Sequence, residues 1–472
     1  MRLPNYEEAK KREKKDYQTV DFKLDDTLEN KYATKTYFLK TYGCQMNERD
    51  GESIKAILEQ LGFSEVLDYK EADLVLLNTC SIRENAHNKA FGMLGRLKHE
   101  KETKKDLMIG LCGCMAQEQG VVDTILNDYK FVNFVFGTHN MHSLPVILDE
   151  ATTKQKQEIE VFASEEDLIE NMPVKRENDY KAFVNIIYGC DKFCTYCIVP
   201  YTRGGQRSRK KEDILKEIND LVEDGYKEVT LLGQNVNAYG KDLDTNYGLA
   251  ELIEDIAKTD IPRIRFMTSH PWDFTESLVD VMARYKNVMP SVHLPVQSGS
   301  SKVLKLMGRK YTKESYLDLF HQLKTKIPNI SISTDIIVGF PSEDEEDFNE
   351  TLSLVKECKF DNAFTFIFSP RENTPAANLE NKTTEKEKEE RLQKLNALVN
   401  EHFLENNEKL VEKIVHVLVE DKSEKREGFY YGHSEQNKLI NFTSTKEHKA
   451  GDIVGVLITE AKTWSLDGKY HE

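Results

Sequence analysis

KTYFLKTYGCQMNERDGESIKAILEQLG, residues 35–62, decides the fold. Its opening is aromatic and β-branched, as a strand is, and RDGESIKAILEQLG reads as a helix closed by Gly62. The same exchange recurs downstream. DLVLLNTC (73–80) is a second strand, followed by a helix through ENAHNKAFGMLGRLKHE (84–100), and LMIGLCG (107–113) and FVNFVFG (131–137) continue the series. Such alternation predicts a doubly wound parallel sheet over residues 35–150, covered by helices on both faces. Ligands gather beyond the carboxyl ends of strands in sheets of this kind. Cys44, Cys80 and the pair Cys112 and Cys114 fall at three successive strand ends. A buried structural cysteine belongs inside a strand, packed like a small hydrophobe. The layout therefore points to a metal site rather than to scattered core thiols.

Working outward, residues 1–34 are polar and highly charged, which predicts a solvated arm. An acidic stretch at 151–179 reads as a linker. From 180 to 406 a second series begins, with strand-like KAFVNII, EVTLLGQ, RIRFMTS, SVHLPV, SISTDIIVG and NAFTFIFS separated by helical stretches. Six such units predict a (β/α)6 partial barrel, whose site lies at the carboxyl ends of its strands. The helix EKEKEERLQKLNALVNEHFLENNEKL (385–410) leads out of it. Residues 407–472 turn to short β segments with glycine and polar turns, and a small antiparallel barrel is expected there.

The chain has 472 residues, 39% of them hydrophobic and 31% charged, with a net charge of −16. That length implies two or three domains. No apolar run is long enough to cross a bilayer, and MRLPNYEEAKKREKKDYQ lacks the apolar core of a signal peptide, so a cytoplasmic location is expected. Thiols stay reduced there, and clustered cysteines indicate metal or redox chemistry. The acidic balance argues against indiscriminate nucleic-acid binding while leaving room for a local basic site. Residues 407–472 hold ten Lys plus Arg against twelve Asp plus Glu, so charge does not mark the final barrel as an RNA binder. Its aromatics Phe429, Tyr430, Tyr431 and Phe442 can stack on bases or simply fill a core.

Three of the eight cysteines crowd into IIYGCDKFCTYCIVP (186–200), as Cys190, Cys194 and Cys197, directly after the first barrel strand. A short Cys-x3-Cys-x2-Cys loop can bring three sulfurs to three corners of a cubane iron–sulfur cluster, leaving one iron open. Zinc is the rival, but a structural zinc site is closed by four ligands and commonly built from Cys-x2-Cys pairs.

With Tyr196 just before its last cysteine, this loop resembles the signature of radical S-adenosylmethionine enzymes. TYGCQMNERD, LNTCSIRENA, GLCGCMAQ, VPYTRGGQRSR, LLGQNVNAYG, TSHP, HLPVQSGS, TDIIVGFP and FIFSPRENTPAA extend the resemblance to the methylthiotransferase family. The branch they resemble acts on N6-isopentenyladenosine beside the tRNA anticodon, and a TRAM-like barrel ending in AKTWSLDG completes the match from about residue 35 to 472. The resemblance implies two 4Fe-4S clusters and S-adenosylmethionine as cofactors. One cluster, on Cys190, Cys194 and Cys197, serves to cleave S-adenosylmethionine to a 5′-deoxyadenosyl radical. The other, on Cys44, Cys80 and Cys114, carries an exogenous sulfur that is methylated and passed to C2 of the adenine. The family motif Gly-Cys-Met-Ala-Gln selects Cys114 over Cys112, and Cys112 and Cys358 are expected to be packing residues. A radical suits this chemistry, since that C2–H is neither acidic nor polarised and no acid–base dyad stands out.

S-adenosylmethionine contacts are expected from Tyr196, Gly204, Gly205, Gln206, Asn235, Gln297, Ser298, Thr334 and Asp335, with Gln206 where related enzymes often carry an acid. Structural roles compete at each strand-end position, and His293 reads as a satisfied barrel histidine. Arg203, Arg207 and Arg209 follow the cluster loop and are expected to meet tRNA phosphates. Gly432-His433-Ser434-Glu435-Gln436-Asn437 departs from the more basic Gly-Arg-Thr pattern of TRAM loops, which weakens RNA binding there. The resemblance further implies a monomer that takes electrons from a flavodoxin- or ferredoxin-type reductant. Competing readings are a sister methylthiotransferase, acting on threonylcarbamoyladenosine or a ribosomal-protein aspartate, and a non-catalytic RNA-binding or zinc protein.

Overall fold

The computed structural model describes residues 17–82, 84–154, 157–161, 167–243, 245–424 and 426–472. They gather into two compact units. One contains the described residues up to Glu177 together with Asn185–Arg209 and Arg371–Ala377, and the other contains Asn178–Val184, Lys210–Pro370 and Asn378–Glu472. Residues 1–16 of the expected charged arm lie outside the described residues.

The first unit runs β1 (Gln18–Asp21), β2 (Thr36–Tyr42), α1 (Gln45–Gln60), β3 (Ser64–Glu65), β4 (Leu74–Thr79), α2 (Glu84–Thr103), β5 (Met108–Gly113), α3 (Gln119–Asp128), β6 (Phe134–Phe136), α4 (Leu144–Lys154), β7 (Glu158–Glu160) and β8 (Asp167–Glu170). Six of the strands form one sheet in the order β3-β2-β4-β5-β6-β7, every pair parallel. The strand β4, LVLLNT, is buried along its whole length, because a central parallel strand is covered on both faces. Val75 and Leu77 pack with Ala90, Leu94 and Val122 on one face. Their neighbours Leu74 and Leu76 pack with Ile54, Ile57 and Leu148 on the other. The alternation divides α2 and α3 from α1 and α4, which makes the sheet doubly wound, as expected. Its strand order reverses between β2 and β4, and that reversal is where ligands lodge in such sheets.

Two expectations are corrected here. Residues 17–34 are not a solvated arm, for β1 pairs with β8, Leu28 is buried and Tyr32 stacks on Phe63 at 4.8 Å. Nor is 151–179 merely a linker. The helix α4 extends to Lys154, β7 becomes the sheet's edge strand, and Arg176 pairs with buried Glu52 at 3.2 Å. Apolar residues spaced among charges, such as Leu28 and Tyr32, carry too little periodicity to announce this packing.

After β9 (Lys181–Asn185), the first unit regains the chain for β10 (Ile187–Tyr188), the short helix α5 (Val199–Thr202) and β11 (Arg207–Ser208), which pairs antiparallel with β10. The second unit continues with α6 (Lys211–Glu223), β12 (Glu228–Leu232), α7 (Leu249–Ala257), β13 (Arg263–Phe266), α8 (Glu276–Arg284), β14 (Ser291–His293), α9 (Ser301–Leu306), α10 (Lys313–Lys326), β15 (Ser331–Val338), α11 (Glu345–Cys358), β16 (Asn362–Ile367) and α12 (Glu385–Glu408). All six strands expected for the partial barrel are present, as sheets β13-β12-β9 and β14-β15-β16. A parallel bridge from Ile264 to Val288 and the Ser269 N–H donating to the His293 carbonyl at 3.3 Å link β13 to the β14 side. The strand β14 is short because Pro290 and Pro295 flank it and neither can donate to a ladder.

The strands β17 (Ile414–Lys422), β18 (Phe429–Ser434), β19 (Leu439–Thr443), β20 (Ile453–Ala461) and β21 (Leu466–His471) close a small barrel in the order β17-β18-β19-β21-β20. Four pairings are antiparallel. The fifth, β19 with β21, is parallel, a departure from the wholly antiparallel barrel expected. Among the described residues no helix is long and apolar enough to cross a membrane.

Candidate functional site

Three adjacent strands of the first sheet end in cysteine. Tyr42 stands beside Thr79 and Thr79 beside Gly113 in register. Cys44 lies two residues past β2 as the N-cap of α1, Cys80 follows β4, and Cys114 opens a 3-10 turn after β5. The Cys80 N–H donates to the Tyr42 carbonyl at 2.9 Å, carrying the ladder one residue beyond its last pair. Gly113 takes φ +92°, and a Cβ there would sit 2.5 Å from the Thr79 carbonyl oxygen, so glycine is needed to turn Cys114 inward. Cys44 and Cys80 flank the strand-order reversal, with Cys114 one strand further on.

The three thiols interact. A hydrogen bond from the Cys80 thiol, outweighing burial and aided by Arg203, lowers Cys44, and the same bond together with burial pushes Cys80 up. Burial raises Cys114, and the Arg203 guanidinium opposes it. Arg203 Nε donates to Cys114 Sγ at 3.0 Å and its Nη2 donates to Asp50 at 2.6 Å. Asn47 Nδ2 lies 4.0 Å from the same sulfur and 3.4 Å from Asn78 Oδ1. Sequence reading overlooked Asn47 and Asp50. Asn47 and Asp50 lie three apart in the first turns of the helix that Cys44 caps, and that spacing, which puts them on one face, was the available signal. Cys112 sits inside β5, fully buried, and Cys358 is buried at the end of α11. Both are core residues, as expected.

The second triplet occupies a loop closed at its base. Ile187 pairs with Ser208 and Tyr188 with Arg207, and the Cys190 N–H donates to the Gly204 carbonyl at 3.1 Å. Gly189 has φ +68°, and a side chain there would collide with the Gly205 carbonyl. Cys197 donates its N–H to the Cys194 carbonyl at 3.0 Å, and the Lys192 N–H lies 3.4 Å from Cys190 Sγ. Cys190 and Cys194 are buried while Cys197 is partly exposed. Burial, reinforced by Cys197, pushes the Cys190 thiol up. Gln206 is half-buried, and its N–H donates to Asp191 Oδ1 at 3.0 Å.

Each triplet is a set of three thiols. Sulfurs spread over separate strand ends, or over one loop, suit a cluster whose irons each take a single protein ligand.

The arginines following the loop are not surface groups, which corrects the phosphate-contact expectation. Arg203, Arg207 and Arg209 are all buried. Arg209 forks onto Glu170 through Nε and Nη2, each at 2.7 Å, and donates Nη1 to the Asn185 carbonyl at 2.6 Å. The Arg207 guanidinium lies 5.4 Å from the Tyr17 ring centre.

Within the second unit, Asn235 follows β12 and donates to Asp273 at 2.6 Å. Gln297, after β14, takes φ +73° and exchanges backbone hydrogen bonds with Asp335 and Ile337. Ser298 Oγ pairs with Thr351 at 3.3 Å. Thr334 is fully buried, accepting from the Val296 N–H and donating to the Leu294 carbonyl at 3.0 Å each. Those bonds hold Ser298 and Thr334 in place beyond β14 and within β15. Asp335 faces His293 Nε2 at 3.1 Å. In the final barrel Tyr430 and Phe442 are buried and stacked at 5.6 Å, so they are core rather than base platforms.

Comparison with known proteins places these features in a class. Residues 184–355 match the Radical SAM superfamily, 36–137 match Uncharacterized protein family UPF0004, and 408–470 match the TRAM domain. A solved structure of the radical S-adenosylmethionine methyltransferase TsrM from Kitasatospora setae superposes with a TM-score of 0.53 at 15% identity, over 73% of this chain and 77% of that one. At that identity the likeness is one of fold. The tRNA-2-methylthio-N(6)-dimethylallyladenosine synthase of Staphylococcus haemolyticus is 51% identical over 471 residues, 99% of this chain and 91% of that protein. The synthase of the same name from Bacillus cytotoxicus is 52% identical, covering 99% and 92%. The chain belongs to the tRNA-2-methylthio-N(6)-dimethylallyladenosine synthase family.

Proposed function

We propose that the protein attaches a methylthio group to C2 of N6-isopentenyladenosine next to the anticodon of tRNA, by radical chemistry. Cys190, Cys194 and Cys197 would hold one 4Fe-4S cluster, and Cys44, Cys80 and Cys114 a second. The observation that carries this reading is the placement of cysteine at the ends of three hydrogen-bonded neighbouring strands, in a chain half identical to synthases of that name. When bound, the clusters and S-adenosylmethionine supply the radical and the methylthio group.

The chain's own residues position and shield. The β10–β11 ladder and the Gly204 carbonyl hold the Cys190 loop in shape, and burial of Cys80, Cys114, Cys190 and Cys194 keeps water from the sulfurs. Gly204, Gly205, Gln206 and Tyr196 stand beside the loop as candidate cofactor contacts, and Asn235, Gln297 and Asp335 are candidates at strand ends. RNA contact is assigned to the TRAM-matching barrel, since the buried arginines are committed elsewhere. We further infer a cytoplasmic monomer supplied with electrons by a flavodoxin- or ferredoxin-type protein.

Nucleoside mass spectrometry of tRNA from a deletion strain tests the reading. Loss of the 2-methylthio derivative with accumulation of N6-isopentenyladenosine, restored by this chain, is expected. Unchanged tRNA nucleosides would sink it.

A further inference from the structure

Arg203 stands six positions after Cys197, yet its donors reach the other cysteine triplet. The path is built from short contacts within one unit. Thr138 Oγ1 donates to the Thr202 carbonyl at 2.5 Å, and Ser81, the neighbour of Cys80, lies 3.4 Å from Thr202 Oγ1. These bonds seat the end of α5 against the sheet's strand ends. The Arg203 N–H then donates to the Val199 carbonyl at 2.8 Å, closing the turn. From there the planar guanidinium spans two partners, Cys114 Sγ at 3.0 Å and Asp50 Oδ2 at 2.6 Å. Arg203 is only 5% exposed and Asp50 7%.

Packing is a poor explanation of this arrangement. A buried ion pair seldom stabilises a fold more than apolar side chains of the same volume would. A core thiol has no need of a cationic donor. A sulfur that ligates metal does, because hydrogen bonds to cluster sulfurs set the reduction potential and orient the ligand. Arginine suits the position through its fixed fork and permanent charge, which lysine does not reproduce.

We infer that Arg203 is a positioning residue that presents the end of the radical loop to the sulfur of Cys114 and raises the reduction potential of the cluster on Cys44, Cys80 and Cys114. Its charge and its Nε–H both favour the reduced, more negative state. Asp50 fixes the guanidinium plane and offsets part of that charge. The inference rests on the ligand reading under Proposed function.

The test uses the full chain with Cys190, Cys194 and Cys197 replaced by Ala, so that a single cluster of about four irons remains. Its midpoint is read by redox titration followed by electron paramagnetic resonance, with Arg203→Gln and Asp50→Asn in the same background. Arg203→Gln is expected to lower the potential, cutting the reduced-to-oxidised ratio about tenfold at fixed poise, or about 59 mV for one electron. Asp50→Asn is expected to shift it the opposite way or leave it in place, because the donor to sulfur remains. A merely structural ion pair predicts similar damage from both changes. No shift with Arg203→Gln, a downward shift in both variants, or loss of the cluster from either variant overturns the inference. If the parent with Arg203 intact binds no iron, the ligand assignment fails and takes this inference with it.

Discussion

Arg209 shows how far burial alters the meaning of a charged residue. In the sequence it belongs to a basic run, whereas in the fold it is locked onto Glu170 and a backbone carbonyl. Replacing Arg209 by Ala would leave Glu170 buried without its cation, a loss of about 3–5 kcal/mol. Chemical denaturation should show that loss, while the salt dependence of tRNA binding stays unchanged. A phosphate-contacting arginine would give the reverse, a stable protein with a shallower salt slope. Gly189 permits a prediction of another kind. Its left-handed φ and the nearby Gly205 carbonyl exclude a side chain, so Gly189→Ala should distort the Cys190 loop. Iron content should then fall from about eight to about four per reconstituted chain. The loop cysteines Cys190, Cys194 and Cys197 could be read from their spacing, whereas Cys114 was singled out from Cys112 only by the family resemblance. The neighbours that tune them, Asn47, Asp50 and Arg203, could not, because their partners lie on other elements.

Among the elements, the final barrel is held within its unit by backbone capture. Arg265 pairs with Glu228 at 2.9 Å and donates to the Ser434 and Glu435 carbonyls at 2.8 and 3.0 Å. Arg263 donates to the His433 and His416 carbonyls at 3.1 and 3.0 Å. The segment Gly432–Asn437 therefore anchors the barrel to β13 through its main chain, whatever its side chains do with RNA. Arg265→Ala should loosen that attachment, and limited proteolysis should then cut in 434–438 faster than in the parent. A pH effect belongs to the same contact. Burial alone would raise the Glu420 carboxyl, yet His433 at 2.8 Å and Lys181 at 2.9 Å hold it down at about 2. A carboxyl depressed by folding gives its full stabilisation above its ordinary value, near 4.5, and loses it as pH falls toward 2. Glu420→Gln should flatten the fall in Tm across that window. Equal slopes for the two proteins would refute the assignment.

For the whole molecule, the decisive experiment counts metal and radical together. Replacing Cys190, Cys194 and Cys197 should abolish 5′-deoxyadenosine formation while leaving about four irons, and the complementary change at Cys44, Cys80 and Cys114 should leave about four irons with 5′-deoxyadenosine still formed. Element order was legible because period-two and period-3.6 patterns are local, and all six barrel strands lie where their apolar runs stand. The strand β21 carries little signal of its own, since LDGKYH offers only Leu466 and Tyr470 as large apolar residues, and it earns its place by pairing with β19 and β20. The loop triplet Cys190, Cys194 and Cys197 was likewise a local fact, while at the strand ends the choice of Cys114 over Cys112 came from the family motif. Which arginines are buried, which strand order puts Cys44 beside Cys80, and which guanidinium meets Cys114 were decided by tertiary structure alone. Chain spacing sets the order of donors along a strand or helix, but burial and long-range hydrogen bonds depend on what the rest of the chain lays against them.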